Sequence, residues 1–301
     1  MTIITNNNGQ TYQTAGIGTT TGAILAGSTV GGAVTAVHQK VLAPKLIKSI
    51  MKQASEVDTK TAKKGMMDAF EKSGLKEKGT EILDVREVAA DSEPALANKK
   101  LAEALEQAIP KRIRNNKQIF ENAIKPLLKA LQAQFEAGQN AAFIFKPNKI
   151  AINSEKMGIA AFHEMGHALN RHSSKFWHAV QHTRVPAMFA GGAASVIALF
   201  KRKKLEGEEP KNNIDKATTF IKNNVGTIAA LSCAPIVAEE LAATYKGEKL
   251  AKQVLSPETL KKVKNLNRIG ALSYISLVAL TGLGAYIGSK VRDAIAKPEE
   301  I

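Results

Sequence analysis

Cysteine and aromatic residues are scarce in this sequence. The single cysteine, Cys233, excludes an intrachain disulfide and lies in an apolar run, where a small buried side chain is expected. Aromatic residues make up only 5% of the 301 residues. Since strands are enriched in aromatic and β-branched side chains, this composition favours closely packed helices over a β-sandwich.

Acidic residues are also under-represented: 27 of them stand against 42 basic residues, which leaves a net charge of +15. A chain this basic suits nucleic acid, an anionic membrane surface or an acidic partner. The lysines are dispersed, and no nucleic-acid-binding motif accompanies them. We therefore expect membrane lipid as a partner, and no nucleic acid.

Apolar stretches predict an integral, multi-pass membrane protein. After a polar tail that is expected to be disordered or loosely packed, residues 15–37 suit a membrane helix, with a glycine-rich soluble segment as the alternative. Val185–Phe200 and Val225–Ala238 are shorter and predict an inserted helical hairpin, whereas Ile269–Gly288 is long enough to span. Small-xxx-small spacing, which lets helices pack closely in lipid, occurs in the first stretch at Gly18, Gly22, Gly27 and Gly31.

Residues 39–138 are rich in lysine and predict amphipathic helices. Asp58 is expected to cap one helix and Gly74 to end it. Further on, apolar residues recur at spacings of three and four, which predicts a helix face packed in an ordinary core. That face comprises Ile119, Phe120, Ala123, Ile124, Leu127, Leu128, Leu131 and Phe135.

A β-hairpin is predicted near residue 140. Ala142–Phe145 and Ile150–Ile152 are short apolar runs separated by a Lys-Pro-Asn turn. Either run could accept an extended substrate as an added strand.

The segment after the hairpin has the residues of a metal site. Ser154 predicts the start of a helix, on which His163 and His167 share one face because they are four residues apart. Two imidazoles at this spacing can bind one Zn²⁺ ion. Glu164 is expected to act as general base on a zinc-bound water. Gly166 is expected to leave room for a substrate backbone or a packed neighbour.

The run AAFIFKPNKIAINSEKMGIAAFHEMGHALNRH resembles the catalytic segment of the integral-membrane zincin peptidases that include HtpX and the CaaX prenyl proteases. In that family an edge strand precedes the HExxH helix, a membrane hairpin follows it, and a second helix supplies a glutamate as third metal ligand in an E-x-x-A-D pattern. The segment ELAATYKGEKL resembles that second helix. The resemblance implies a zincin-like fold, a zinc cofactor and a protein or peptide substrate.

Carried onto this sequence, the resemblance implies that Glu240 is the third zinc ligand, with the adjacent Glu239 as the alternative. The family aspartate that orients a metal-bound histidine is replaced by Thr244, which puts that orientation and the activity in question. His172 is a further candidate for a group that supports the metal ligands or the transition state.

Two more histidines, His178 and His182, follow in the same region. If the helix continued without a break, both would lie near its metal-binding face and a second metal site would be possible. The alternative is a polar helix face at a membrane interface.

Together these patterns predict a mainly α (α+β) protein with a zincin-like metallopeptidase core, a small β-hairpin and several membrane-embedded apolar helices. The leading function is zinc-dependent, membrane-associated endopeptidase activity. Two alternatives stay open: a pseudopeptidase acting as a membrane scaffold, which Thr244 favours, and a basic membrane-binding module without metal. The predicted regions are a tail and glycine-rich helix (1–38), a lysine-rich helical region (39–138), the catalytic core with its inserted hairpin at 185–238 (139–255), and a C-terminal membrane helix with its tail (256–301).

Overall fold

The computed structural model describes residues 1–87 and 93–301. In these residues the chain is mainly helical, and its short strands form two three-stranded sheets. The helices are α1 Ile17–Val37, α2 Ala43–Ser55, α3 Thr59–Lys72, α4 Glu93–Ala108, α5 Lys111–Arg114, α6 Lys117–Ile119, α7 Lys125–Glu136, α8 Ser154–Met157, α9 Ala161–Ser173, α10 Lys175–Phe200, α11 Asn213–Leu231, α12 Ala234–Val254 and α13 Pro257–Ile295. The strands are β1 Ile3–Thr5, β2 Thr11–Gln13, β3 Glu81–Asp84, β4 Ala142–Ile144, β5 Lys149–Ile152 and β6 Glu299–Glu300. Short π-helical turns cover His38–Leu42 and Phe120–Ile124, and a 3₁₀ turn covers Gly158–Ala160.

The chain divides into two compact units that differ from the predicted regions. The first unit comprises residues 1–44, 182–237 and 273–301, and the second comprises 45–181 and 238–272. The lysine-rich residues from 45 onward belong with the HExxH segment, because Met66 and Phe70 on α3 share one core with Phe162 on α9.

The sheet of the second unit contains the predicted hairpin and one strand that the sequence did not reveal. Its order is β3-β5-β4, with β5 parallel to β3 and antiparallel to β4. Because β5 is central and has a partner on each side, the prediction that Ile150–Ile152 could receive an added strand is wrong. β4 lies at the edge of the sheet and keeps that possibility.

One face of α9, together with the 3₁₀ turn before it, is the centre of the main core. Ile159, Phe162 and Met165 are completely or almost completely buried, as the apolar spacing of this segment requires. They pack with Met66 and Ile150 in a single cluster. Burying each of these large side chains contributes about 1.5–3 kcal/mol, so this packing holds α9 firmly against the sheet.

The helix ends agree with the sequence in α3 but not in the HExxH segment. Asp58 caps α3 by accepting a backbone N–H at 2.9 Å, and Gly74 follows its last turn with a φ of +66°. The expected cap at Ser154 is wrong: the Asn153 side chain caps α8, while the amide and hydroxyl of Ser154 donate to Asp84 at 2.9 and 2.7 Å. The asparagine amide oxygen one residue earlier reaches the free N–H groups of the first turn.

A second, smaller core lies between α4, α7 and the sheet. Phe135 is buried there, with Leu128 and Leu131 packed against it. The predicted apolar face is therefore in a core only over its last turns. Upstream, Ile119 is 49% exposed, and Leu127 is 66% exposed because it points away from the core on which its neighbour Leu128 packs.

Four helical segments are long and apolar enough to cross a membrane. They are Ile17–Ser55, Lys175–Phe200, Asn213–Val254 and Pro257–Ile295. Of the stretches that looked short in the sequence, Val185–Phe200 lies inside α10, whereas Val225–Ala238 crosses the break between α11 and α12 at Ser232 and Cys233. At most a third of each apolar window is buried within the protein, and Phe189 on α10 is 75% exposed.

Glycines bring α1 and α13 into backbone contact in the first unit. A Cβ added to Gly27 would lie 2.5 Å from the carbonyl oxygen of Gly288, and one added to Gly31 would lie 2.6 Å from that of Gly284. This is the close approach that the spacing predicted. The earlier glycines of the same stretch have open space around them.

The polar N-terminal tail is ordered, which corrects the expectation of disorder. β1 and β2 form an antiparallel hairpin, and β6 near the C-terminus pairs with β2. The turn contains three asparagines and Gly9, whose φ of +77° suits a tight hairpin turn. The amide of Asn7 also donates to the carbonyl of Gly207 at 3.2 Å, which joins the hairpin to the loop after α10.

Candidate metal centre

Two helices of the second unit place three possible metal ligands at one point. On α9 the Nε2 atoms of His163 and His167 lie 3.0 Å apart. From α12, Oε2 of Glu240 lies 3.0 Å from Nε2 of His163 and 3.3 Å from Nε2 of His167. The structure therefore brings together the three residues that the sequence named as ligands.

Close backbone contact between α9 and α12 makes this meeting possible. A Cβ on Gly166 would lie 1.9 Å from the carbonyl oxygen of Ala243, and one on Gly247 would lie 2.3 Å from that of Phe162. Neither position can accept a side chain without moving a helix. Of the two expectations for Gly166, the packed neighbour is the one that the structure contains.

The other nitrogen of each imidazole has an oxygen partner. Nδ1 of His167 lies 2.8 Å from Oε1 of Glu239, and Nδ1 of His163 lies 3.2 Å from the hydroxyl oxygen of Thr244. With the proton on Nδ1 of each ring, both oxygens accept a hydrogen bond and the Nε2 lone pairs face the shared point. Three electron-pair donors then face one another, an arrangement that requires a cation or a proton between them.

Glu239 is fully buried and its carboxylate is already surrounded by donors. Its Oε1 accepts from the Asn170 side chain at 3.1 Å and from the Gln181 side chain at 2.7 Å, besides its contact with His167. Glu239 is thus the residue that orients His167, and Glu240 alone of the two points at the shared position. Asn170 and Gln181 were missed by the sequence reasoning, since an amide on a helix surface carries no signal of its own.

Negative charge is concentrated at this centre. The carboxyl groups of Glu164, Glu239 and Glu240 are all buried around the two imidazoles. Burial raises the pKa of Glu164 above its ordinary value, although the nearby imidazoles oppose this effect. Burial disfavours charge on His167, but the carboxylates of Glu240 and Glu239 outweigh it and raise its pKa well above the ordinary value. Buried carboxylates in such numbers need positive charge beside them.

Glu164 faces the edge of the sheet. Its Oε2 accepts the backbone N–H of Phe143 on β4 at 2.7 Å. This amide points away from Ile150, its antiparallel partner on β5, so the unpaired edge of β4 is directed at the carboxylate. The general-base candidate, the ligand cluster and the edge strand β4 therefore adjoin one another.

The donor set fits a zinc ion. Ligand atoms about 2.0–2.1 Å from a tetrahedral zinc lie about 3.3–3.4 Å from one another. The three atoms are separated by 3.0, 3.0 and 3.3 Å, close to one face of that tetrahedron. Two imidazoles and one carboxylate leave the fourth position for a water or a substrate, as catalytic zinc sites require.

The remaining histidines lie outside this cluster. Nε2 of His172 is 3.3 Å from the side-chain oxygen of Asn148 in the β4–β5 turn. Ser174 is extended and separates α9 from α10, so the continuous helix that would align His178 and His182 with the ligands is absent. Among residues 1–87 and 93–301, neither belongs to a group of three possible metal ligands, and the prediction of a second metal site there finds no support.

Comparisons with known protein families, with characterised proteins and with solved structures give no match to this chain.

Proposed function

We propose that this chain is a membrane-associated, zinc-dependent endopeptidase with a zincin-like catalytic core. One observation carries the proposal: the Nε2 atoms of His163 and His167 and Oε2 of Glu240 lie within 3.3 Å of one another, while each Nδ1 faces an oxygen partner. In metal sites, a metal-binding histidine usually donates the N–H of its other ring nitrogen to an oxygen partner, which orients the ring. The resemblance of the HEMGH segment to HtpX-like peptidases supports the same function.

The three ligands would hold Zn²⁺, which supplies Lewis acidity and makes water nucleophilic near neutral pH. Glu164 would accept a proton at its carboxylate from the attacking water and donate it to the leaving amine.

The edge of β4 would hold the substrate. An extended peptide that pairs with this edge would replace Glu164 as the acceptor of the Phe143 N–H and would lie beside the released carboxylate. Strand pairing positions a peptide bond without requiring a particular side chain, so we expect hydrolysis within chains that can become extended.

The four apolar helical segments support integral, multi-pass membrane insertion. Each has the length to cross a bilayer, and at most a third of each apolar window is buried within the protein. Substrates would then be membrane proteins or proteins held near the membrane.

The proposed activity is tested by hydrolysis of an unfolded protein substrate, such as casein, by the full chain reconstituted in lipid with zinc. Glu164→Gln should keep zinc and lower the rate by roughly 10²–10⁴-fold, because it removes the proton acceptor and no ligand. Glu71→Gln, the same change on an exposed residue of α3, should have no effect. Equal rates for Glu164→Gln and the unaltered protein would rule out this mechanism.

A pseudopeptidase is the second candidate, and the observation that favours it is Thr244 in place of the family aspartate. This candidate predicts stoichiometric zinc together with no hydrolysis above that of Glu164→Gln. A basic membrane-binding module without metal predicts neither zinc nor hydrolysis. The same two measurements therefore separate all three possibilities.

A further inference from the structure

Residues 111–129, which we call the basic segment, carry charge of almost one sign. They contain six basic residues, Lys111, Arg112, Arg114, Lys117, Lys125 and Lys129, and one acidic residue, Glu121. The side chain of Lys125 pairs with Glu121 at 2.8 Å, which leaves five basic groups without a neighbouring carboxylate in the segment. All five are exposed.

Aliphatic side chains are exposed among these charges. Ile113 is 36% exposed, Ile119 49% and Leu127 66%. The π-helical turn Phe120–Ile124 adds one residue to the helix between Ile119 and Leu127, so these two side chains, eight apart, fall on nearly the same face. The core takes Leu128, Leu131 and Phe135 from the same helix. The basic segment therefore presents Ile119 and Leu127 on a face separate from the core, with Ile113 exposed on the short helix α5 before them.

We propose that the basic segment lies on an anionic lipid bilayer, with its lysines and arginines on phospholipid headgroups and Ile113, Ile119 and Leu127 in the outer acyl region. A basic helix with exposed aliphatic residues has the composition of an interfacial helix. Phospholipid phosphates supply the opposite charge, and attraction falls off within a Debye length of the membrane surface.

This occupant is favoured over a nucleic acid or a protein. Single-stranded nucleic acid is bound by stacking on exposed aromatic rings, whereas the one aromatic residue of the basic segment, Phe120, is half-buried. Four helical segments are long and apolar enough to cross a membrane. The inference rests on the proposed membrane insertion, which would keep this chain at a bilayer, where lipid is the most concentrated anionic ligand. The inference is independent of the peptidase proposal and needs no metal.

A fluorescent label at position 119 tests it in the full chain. Cys233→Ala removes the single native thiol, and Ile119→Cys is then labelled with the environment-sensitive dye NBD. In nanodiscs of phosphatidylcholine with phosphatidylglycerol, the emission should shift to shorter wavelength and be quenched by nitroxide-labelled lipid. In pure phosphatidylcholine both effects should weaken, and high salt should weaken them in the anionic discs.

Charge variants provide the control. Replacing Lys111, Arg112, Arg114 and Lys117 by glutamine should abolish the shift and the quenching. The same replacement at Lys60, Lys64, Lys261 and Lys264, four exposed lysines elsewhere in the second unit, should leave both intact. Emission that ignores lipid composition would overturn the proposal. So would emission that shifts only when an RNA oligonucleotide or an acidic polypeptide is added, because the segment would then bind a macromolecule. Thermal unfolding in detergent should give equal midpoints for all variants, which shows that the fold is kept.

Discussion

The hydroxyl oxygen of Thr244 lies 3.2 Å from Nδ1 of His163, on the side of the imidazole opposite the ligand cluster. This is the position that the aspartate of the resembled family would fill. A hydroxyl can accept the Nδ1–H and fix the ring, but it adds no negative charge to strengthen the histidine as a ligand. Thr244 can therefore orient His163 without adding negative charge to the candidate metal centre.

Thr244→Val should weaken zinc binding about 10–100-fold, because the valine is nearly isosteric but cannot accept the Nδ1–H. Thr244→Ser should bind like the unaltered protein, and Thr244→Asp at least as tightly. Competition with a chromogenic chelator measures these affinities. Thr218→Val, at a hydroxyl bonded only to its own helix among the described contacts, is the control. Unchanged affinity in Thr244→Val would show that this hydroxyl does not support the site.

The two adjacent glutamates should differ in a zinc titration. Glu239→Ala removes only the partner of His167 and should weaken zinc binding about 10–100-fold. Glu240→Ala removes a ligand and should weaken zinc binding more than that. Glu239→Gln should be milder than Glu239→Ala, since its amide oxygen can accept the same Nδ1–H. The opposite ranking would make Glu239 the ligand, and normal affinity in every variant would remove α12 from the site.

Gly166→Ala should separate α9 from α12. The new methyl group would lie 1.9 Å from the Ala243 carbonyl oxygen, so the helices must move apart, at a cost of about 1–3 kcal/mol or more in stability. Zinc affinity should also fall, because the ligands on the two helices move apart. Gly270→Ala is the matched control, because a Cβ there has no neighbour within 4 Å. Thermal unfolding in detergent compares the two variants, and equal midpoints would mean that the helices are not in close contact.

The sequence predicted the parts of the centre that lie on one helix. His163, Glu164 and His167 share α9, and their spacing alone places two imidazoles on one face. Glu240 came from the resemblance of a second segment. Asn170, Gln181 and the Phe143 amide join the centre only through tertiary packing, which periodicity does not encode. The same limit hid β3, whose four residues Glu81–Asp84 show no pattern until β5 pairs with them.

The helices were predicted better than their ends. Apolar runs located the four candidate spans. The polar residues that extend these helices carry no hydrophobic signal, so the sequence did not show where each helix ends. The N-terminal hairpin was missed although an Asn-Gly turn between β-forming residues is present. The many asparagines and the scarcity of apolar residues in this tail had favoured a disordered or loosely packed segment.

Both termini and the loop after α10 should lie on the same side of the membrane. Tyr12 pairs with Glu300, and Asn7 donates to Gly207, so the three segments meet at one end of the first unit. In a Cys233→Ala background, cysteines placed at Asn8 and Glu209 should react from the same side of sealed vesicles with an impermeant maleimide. Labelling of both after detergent lysis is the control. Reaction from opposite sides would contradict the arrangement of the first unit.

Metal analysis of the purified protein tests the central claim most directly. The full chain, purified in detergent without chelators, should contain about one zinc per chain, since the cluster offers three ligands to a single ion. His163→Ala should lose that zinc, whereas His178→Ala, which removes a histidine outside the cluster, should retain it. Absence of zinc from the unaltered protein, or equal zinc in His163→Ala, would contradict a metal centre at His163, His167 and Glu240.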